Sequence, residues 1–174
     1  MRCEDAQPVE CPTALSGLRI RRFSSGDETV LMRVFASAVH QVAARDYSPE
    51  QVDAWAPPDM DAELWAARMR HIQPFVAVWG GEIVGYADVQ PNGYSNHFFV
   101  SGAHTRRGIG SRLMSRIHDE ARSLGLCTLT ADVSLTAEPF FADHGFNVVE
   151  RQWPVCRGVT LQNARMRKDL GCVA

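Results

Sequence analysis

The sequence predicts a mixed α/β domain built around one mostly antiparallel sheet flanked by helices, and three features carry that prediction. Apolar residues follow a helical spacing from about Val30 to Ile72 and an alternating one from Phe75. The alternating stretch is divided by Gly80-Gly81, a hairpin signal. After Val100 an amphipathic stretch of helical period lies between two strand-like apolar runs.

Taken in order, "LRIRRF" (Leu18 to Phe23) alternates apolar and basic residues as a half-exposed strand does. Turn and cap residues follow in "SSGDET". Val30, Leu31, Val34, Phe35, Ala38 and Val42 then recur at helical spacing, which predicts an amphipathic helix over 28–45. "SPEQ" opens a second helix: Ser48 caps, Pro49 fits the first helical position, and Gln51 reaches back as in a capping box. Pro57-Pro58 ends it. "DMDAELWAARMRHI" is a third helix with Leu64, Trp65, Arg68, Met69 and Ile72 along one side.

"PFVAVWGGEIVGYADVQ" gives two strands about the glycine pair, "PNG" a turn, and "YSNHFFV" one further strand. In that strand Tyr94 and Asn96 share a face and His97 takes the other. Ile109, Leu113, Ile117, Ala121 and Leu124 form the next helical stripe, ended by Gly125. "LCTLTADVSL" is a buried-type strand, Thr136 to His144 a short helix ended by Gly145, and "FNVVERQ" and "VTLQNARM" are strands joined through "WPVCRG".

The 174 residues match one domain over 17–174, preceded by a flexible tail over 1–16. A composition of 45% hydrophobic and 22% charged residues argues against disorder. The formal net charge of -2 supplies no global basic field, so no nucleic-acid partner is expected and anion recognition must be local. No run is long enough to span a bilayer, so no membrane partner is expected, and the beginning of the chain lacks the apolar core of a signal peptide. Five scattered cysteines (Cys3, Cys11, Cys127, Cys156 and Cys172) have neither disulfide-framework nor zinc spacing. A cytoplasmic protein without a metal is the expectation.

The stretch that carries chemistry is "TRRGIGS", Thr105 to Ser111, placed where a strand hands over to a helix. The first N–H groups of a helix lack intrahelical acceptors and lie at the positive end of its dipole. Glycines let an anion approach that backbone, and Arg106 and Arg107 add cationic side chains. GxxxxGK[ST] is absent because no lysine follows Gly110, and GxGxxG is absent because Leu113 follows Gly108 and Gly110. P-loop and Rossmann readings therefore fail.

"FFVSGAHTRRGIGSRLM" resembles the acyl-CoA-binding motif of the GNAT superfamily of N-acetyltransferases, Gln/Arg-x-x-Gly-x-Gly/Ala after a strand. "AEPFFADHGF" resembles the family's "FYxxxGF" segment. Together with "DYSPEQVDAWAP" and "RGVTLQNARM", these stretches resemble a bacterial branch of the family with unassigned acceptor. The resemblance implies a splayed sheet with acetyl-CoA in its V-shaped opening. Its pyrophosphate would lie on the N–H groups across Thr105, Arg106, Arg107, Gly108, Ile109, Gly110 and Ser111. Its pantetheine would run beside Phe98, Phe99 and Val100, and Phe141 would border that arm. The implied reaction is direct acyl transfer to a primary amine of a small molecule or peptide.

Three positions depart from the family pattern. Thr105 replaces the usual Gln/Arg, Phe141 stands where a tyrosine acid is usual, and Asn96 where a carboxylate is frequent. Those last two departures favour a non-catalytic acyl-CoA-binding module as the alternative. Tyr94, Asn96 and His97 are the candidate catalytic residues in place of the missing acid and base. His40, Asp46 and Tyr47 are candidates for the acceptor site, with Trp55 and Trp65 beside them, and Asp46 with the mild net acidity suits a cationic amine. The family is often homodimeric, although oligomeric state is not legible here.

Overall fold

The computed structural model describes residues 15–171. Of the expected tail, residues 1–14 lie outside the described residues, while Leu15 packs against the core and the Ser16 carbonyl accepts from the Trp79 indole at 3.2 Å. Strand β1 (Arg19–Arg22) leads to α1 (Glu28–Gln41), a 3-10 turn at Ala43–Arg45, α2 (Pro49–Trp55) and α3 (Ala62–Ile72). Strands β2 (Phe75–Trp79), β3 (Glu82–Ala87), β4 (Tyr94–Ser95) and β5 (Phe98–Val100) precede α4 (Ile109–Ser123). Then come β6 (Thr128–Ser134), α5 (Glu138–Asp143), β7 (Asn147–Gln152), β8 (Val155–Cys156), β9 (Val159–Thr160) and β10 (Asn163–Asp169).

Local signals fix most of these boundaries. The Ser48 capping box forms in both directions, with Ser48 N–H donating to the Gln51 side chain at 2.9 Å and Gln51 N–H to Ser48 Oγ at 3.2 Å. Asp61 caps α3 through the N–H groups of Glu63 and Leu64. Gly80 and Gly81 both take positive φ, 60° and 84°, in the β2–β3 turn, a conformation only glycine adopts without strain.

The strands form two four-stranded sheets, ordered β1-β2-β3-β5 and β4-β6-β10-β7, with β8 and β9 as a separate hairpin. The first is antiparallel throughout, and the second contains one parallel pair, β4 with β6. The segment 94–100, expected as one strand, is two. Tyr94 and Ser95 pair with Thr130 and Ala131, whereas Phe98, Phe99 and Val100 pair with β3 instead. The chain leaves one sheet and joins the other at Asn96-His97, and the sheets splay apart from that point.

The cause of the break is a buried carboxylate. Asp88, 1% exposed at the end of β3, accepts the N–H of Asn96 at 3.0 Å and of His97 at 2.6 Å. Two consecutive N–H groups aimed at one oxygen cannot alternate between strand neighbours, so the ladder is interrupted there. Gln90 holds the second carboxylate oxygen at 2.6 Å.

Helix α4 buries Ile109, Leu113, Met114, Ile117 and Ala121 in a core shared with β2, β3, β6, β10 and α5. Each large aliphatic side chain so buried contributes about 1.5–3 kcal/mol relative to exposure. Gly85 permits the close approach: a Cβ there would lie 3.2 Å from Leu113 and 3.0 Å from the Phe99 carbonyl. A second core lies between α1–α3 and the other face, around Leu31, Phe35, Trp65, Met69 and Tyr86. Two expected core positions are corrected: Leu64 is 71% exposed and Leu124 is 46% exposed, each at the edge of its helix stripe. Cys127 forms a disulfide, which the scattered cysteine spacing had not predicted. Among the described residues no helix is long and apolar enough to cross a membrane, and no cluster of His, Cys, Asp or Glu is placed to hold a metal ion.

Candidate active site

The splay produces two adjoining cavities. The first, about 590 Å³, lies between β5 and the α4 N-terminus on one side and α5 on the other. It is bordered by Phe98, Phe99, Val100, Thr105, Arg106, Gly108, Ile109, Gly110 and Ser111. Helix α4 starts at Gly108, whose φ of 82° turns the chain sharply into the helix. Among the described residues the N–H groups from Arg106 to Ser111 have no acceptor, and the first backbone bond across this turn is Arg112 N–H to the Gly108 carbonyl at 3.1 Å. A row of free donors at the positive end of a fifteen-residue helix is a seat for a phosphate. Gly110 keeps it open, since a Cβ there would meet the Phe140 ring at 3.2 Å. Strand β5 is the outer strand of its sheet, so its free edge faces the same cavity.

Arg107 is not part of this lining; its guanidinium lies 5.5 Å from the centre of the Trp79 ring. Phe141 does not border the cavity either. It is 3% exposed and packs on Phe98, Phe140 and Phe146, while its neighbour Phe140 forms the wall. The resemblance puts Phe141 at this cavity, whereas the turn of α5 puts Phe140 there instead.

The second cavity, about 710 Å³, opens between α1, α2, α3, the β4–β5 break and the β8–β9 hairpin. Its walls are aromatic: Phe35, Tyr47, Trp55, Trp65 and Phe99. Phe35 meets Phe99 edge-on at 4.9 Å and Trp65 at 5.1 Å between ring centres. Trp55, Phe99 and Ser134 belong to both linings, so the two cavities meet there.

Asn96 and His97 border the aromatic cavity together, because the break cancels the strict alternation of faces. His97 is 6% exposed, and burial, helped by the charge of Arg68, pushes its pKa down to about 3. Its ring is therefore neutral. Nδ1 lies 2.9 Å from the Tyr86 hydroxyl, which burial holds well above the usual phenol range. That phenol proton has no other acceptor among the described residues, so Tyr86 donates to Nδ1 and the imidazole proton sits on Nε2. Asp88 beneath them has its pKa raised by burial, against the pull of its hydrogen bonds.

Tyr94 lies before the break and borders neither cavity. Its hydroxyl donates to Asp132 at 2.8 Å, and burial with that carboxylate pushes its pKa up to about 12. Asp132 is also clasped by Arg165 at 3.0 and 3.2 Å. Tyr47 lines the aromatic cavity and ties the helical cap to the sheet, donating to the Gln162 carbonyl at 2.5 Å and accepting from Leu135 N–H at 3.0 Å. His40 and Asp46 line neither cavity: His40 bonds the Ala56 carbonyl at 2.7 Å and Asp46 accepts from Thr136 at 2.7 Å. Asp88, Tyr86 and Arg68 were missed in the sequence, because nothing local distinguishes a strand-end Asp or a helix-flank Arg.

A splayed sheet with a helix N-terminus at its open end, beside a second cavity, is the architecture of an acyltransferase of the GNAT class. The chain belongs to that family: the acetyltransferase (GNAT) domain model matches residues 43–170, and the family resemblance read from the sequence holds. It is 33% identical over 153 residues to the uncharacterized N-acetyltransferase YafP of Escherichia coli K12, covering 88% of this chain and 97% of that one. A GCN5-related N-acetyltransferase from Rhodopseudomonas palustris superposes with a TM-score of 0.85 at 29% identity, over 90% of this chain and 98% of that one. YncA of Salmonella typhimurium, a putative acetyltransferase whose structure holds acetyl-CoA, shares the fold at a TM-score of 0.67 and 20% identity, over 91% and 96% of the two chains.

Proposed function

We propose that this N-acetyltransferase passes the acetyl group of acetyl-CoA directly to a primary amine held in the aromatic cavity. The observation that carries the reading is the meeting of the two cavities at Phe99, Ser134 and Trp55, since direct transfer needs both substrates present at once. In this reading the free N–H groups of Arg106 to Ser111 take the pyrophosphate. The open edge of β5 pairs with the pantetheine amides, so Phe98 to Val100 deliver the thioester to the junction. The attacking nitrogen forms a C–N bond and loses one proton; the C–S bond breaks and the thiolate gains one.

Side-chain acid–base chemistry plays a small part. His97 is neutral with Nδ1 occupied, so it serves as a fixed N–H donor beside the junction rather than as a base. Tyr94 lines neither cavity and its hydroxyl is committed to Asp132 on the aromatic wall, and Asn96 offers an amide to the acceptor. The amine enters in its neutral form, and a thiol of reference pKa about 8.5 leaves without an obligatory acid. Positioning and backbone donors then supply most of the rate.

Calorimetry with CoA, acetyl-CoA and ATP, followed by thiol release against an amine panel, tests this reading. CoA binding with amine-dependent thiol release is the expected result; binding without release from any amine would favour the non-catalytic module. Phe141→Tyr adds a check on the missing acid. It buries a hydroxyl in the core, so the expected outcome is a loss of about 1–2 kcal/mol of stability with no rise in kcat. A hundredfold rise in kcat would show that a proton donor was limiting.

A further inference from the structure

The charges around the aromatic cavity are unevenly committed. Both carboxylates on its lining are already engaged. Asp132 is held by Arg165 and Tyr94, and Asp61 by the N–H groups of Glu63 and Leu64 at the start of α3. Its two guanidinium groups have no carboxylate partner among the described residues. Arg157 donates to the Ala54 carbonyl at 2.7 Å, and Arg68 has neither ion pair nor hydrogen bond among them. Arg68 stands on the flank of α3 one turn after Leu64, and its charge is felt at both His97 and Tyr86.

The rest of the lining is mainly aromatic and aliphatic, with Asn96, His97, Ser134, Gln162 and Asn163 as its uncharged polar members. Phe35, Trp55, Trp65 and Phe99 form the walls, and the 71% exposed Leu64 with Met60 and Pro154 forms the rim. Flat rings with edge-on neighbours suit a planar or bulky hydrocarbon body. An uncommitted guanidinium facing the same space suits a carboxylate, which it binds through two parallel hydrogen bonds. The sequence had favoured a cationic acceptor through Asp46, but that carboxylate borders neither cavity.

We infer that the acceptor is a small amphipathic amino acid, with an aromatic body between the rings, its carboxylate on Arg68 and its amine at the cavity junction. This rests on the acetyl-transfer reading above. Arg68 and the junction residues Trp55, Phe99 and Ser134 line the same cavity, so the carboxylate and amine of one small molecule can occupy the two places together.

Steady-state thiol release with phenylalanine, phenethylamine and spermidine tests the inference in the wild type and in Arg68→Met. The side chain of Arg68 is exposed, so the substitution leaves the helix intact. Expected is a kcat/KM for phenylalanine at least roughly tenfold above that for phenethylamine, the ratio falling towards one in Arg68→Met. Preference for phenethylamine or spermidine in the wild type, or a ratio indifferent to Arg68→Met, overturns the carboxylate while leaving acetyl transfer standing. Should no amine release thiol, the acetyl-transfer reading fails separately, and product binding decides the ligand class. Calorimetry would then show N-acetylphenylalanine bound in an Arg68-dependent manner, and equal or absent binding of N-acetylphenylalanine and N-acetylphenethylamine overturns it.

Discussion

The two cavities are neighbours built by opposite means. The cavity proposed for acyl-CoA takes its ligand-facing polar groups from backbone: an open strand edge at Phe98 to Val100 and the free N–H groups at the start of α4. The aromatic cavity proposed for the acceptor is lined by side chains from α1, α2, α3, the β4–β5 break and the β8–β9 hairpin. A backbone site fixes a common ligand and tolerates exchange of most side chains around it. A side-chain site changes its ligand whenever one ring or charge is replaced. One fold can thus keep its donor while its acceptor varies, and each prediction below strains one side of that division.

The largest effect is expected at Asp88, which lines neither cavity but anchors the break between the two sheets. Asp88 holds the N–H groups of Asn96 and His97, and so the break from which the sheets part. Asp88→Ala leaves the buried His97 N–H and the part-buried Asn96 N–H without an acceptor, at roughly 1–3 kcal/mol for the first and less for the second, offset in part by relief of the buried charge. A net loss of about 2–4 kcal/mol in urea unfolding is expected, with weaker binding in both cavities. Asp88→Asn keeps an acceptor oxygen and removes the charge. Burial raises the folded pKa of Asp88 above its unfolded value, so its contribution to stability is lost as pH rises through that folded pKa. Asp88→Asn is therefore expected to match or exceed the wild type in stability at neutral pH. If Asp88→Ala retained full stability and CoA affinity, the break would not depend on this carboxylate.

Gly110→Asp strains the backbone side alone. Its Cβ would meet Phe140 at 3.2 Å, and its charge would face the phosphate seat. A loss of CoA affinity of about a hundredfold or more is expected in calorimetry, with circular dichroism close to the wild type. Unchanged affinity would refute the seat at this helix end.

The same division explains what was legible in the sequence. The proposed phosphate seat lies within residues 98–111, and its chemistry follows from a strand, two glycines and a helix start, all local. The aromatic cavity draws on residues as distant as Phe35 and Asn163. Tyr47 and the tryptophans could be placed near it by analogy, whereas His40 and Asp46 could not be separated from them, because a helix-junction residue can point either way. The misread strand has the same origin. "YSNHFFV" alternates well enough to run straight, and the carboxylate that breaks it sits eight and nine residues earlier. No rule of period registers a hydrogen bond across that distance.

A smaller effect tests the electrostatics beneath these sites. Burial lowers the pKa of His97 to about 3 and of His118 to about 4, the latter aided by Lys168, His144 and Arg122 and opposed by Asp119. Below the unfolded value of 6.5 the unfolded chain binds the extra protons. Stability from these rings is therefore present above about 6.5 and lost as pH falls towards their folded values. Urea midpoints should decline between pH 7 and 4.5, and His118→Gln should make that decline shallower. An equal slope in the variant would mean that His118 titrates normally.

The smallest effect is expected where the sequence first draws the eye. Arg106 and Arg107 stand beside the phosphate seat, yet only Arg106 borders the cavity and Arg107 is engaged with Trp79. Exposed charges near a phosphate act through water and salt, and each contributes on the order of 1 kcal/mol or less. Arg106→Ala should weaken CoA by roughly two- to fivefold at low salt, and Arg107→Ala by less. Both effects should shrink as salt is raised, because the ions screen side-chain charges more than they screen N–H groups in direct contact with the ligand. A loss from either arginine as large as that from Gly110→Asp would mean that side chains, not the backbone, hold the donor. The contrast between the two cavities would then disappear.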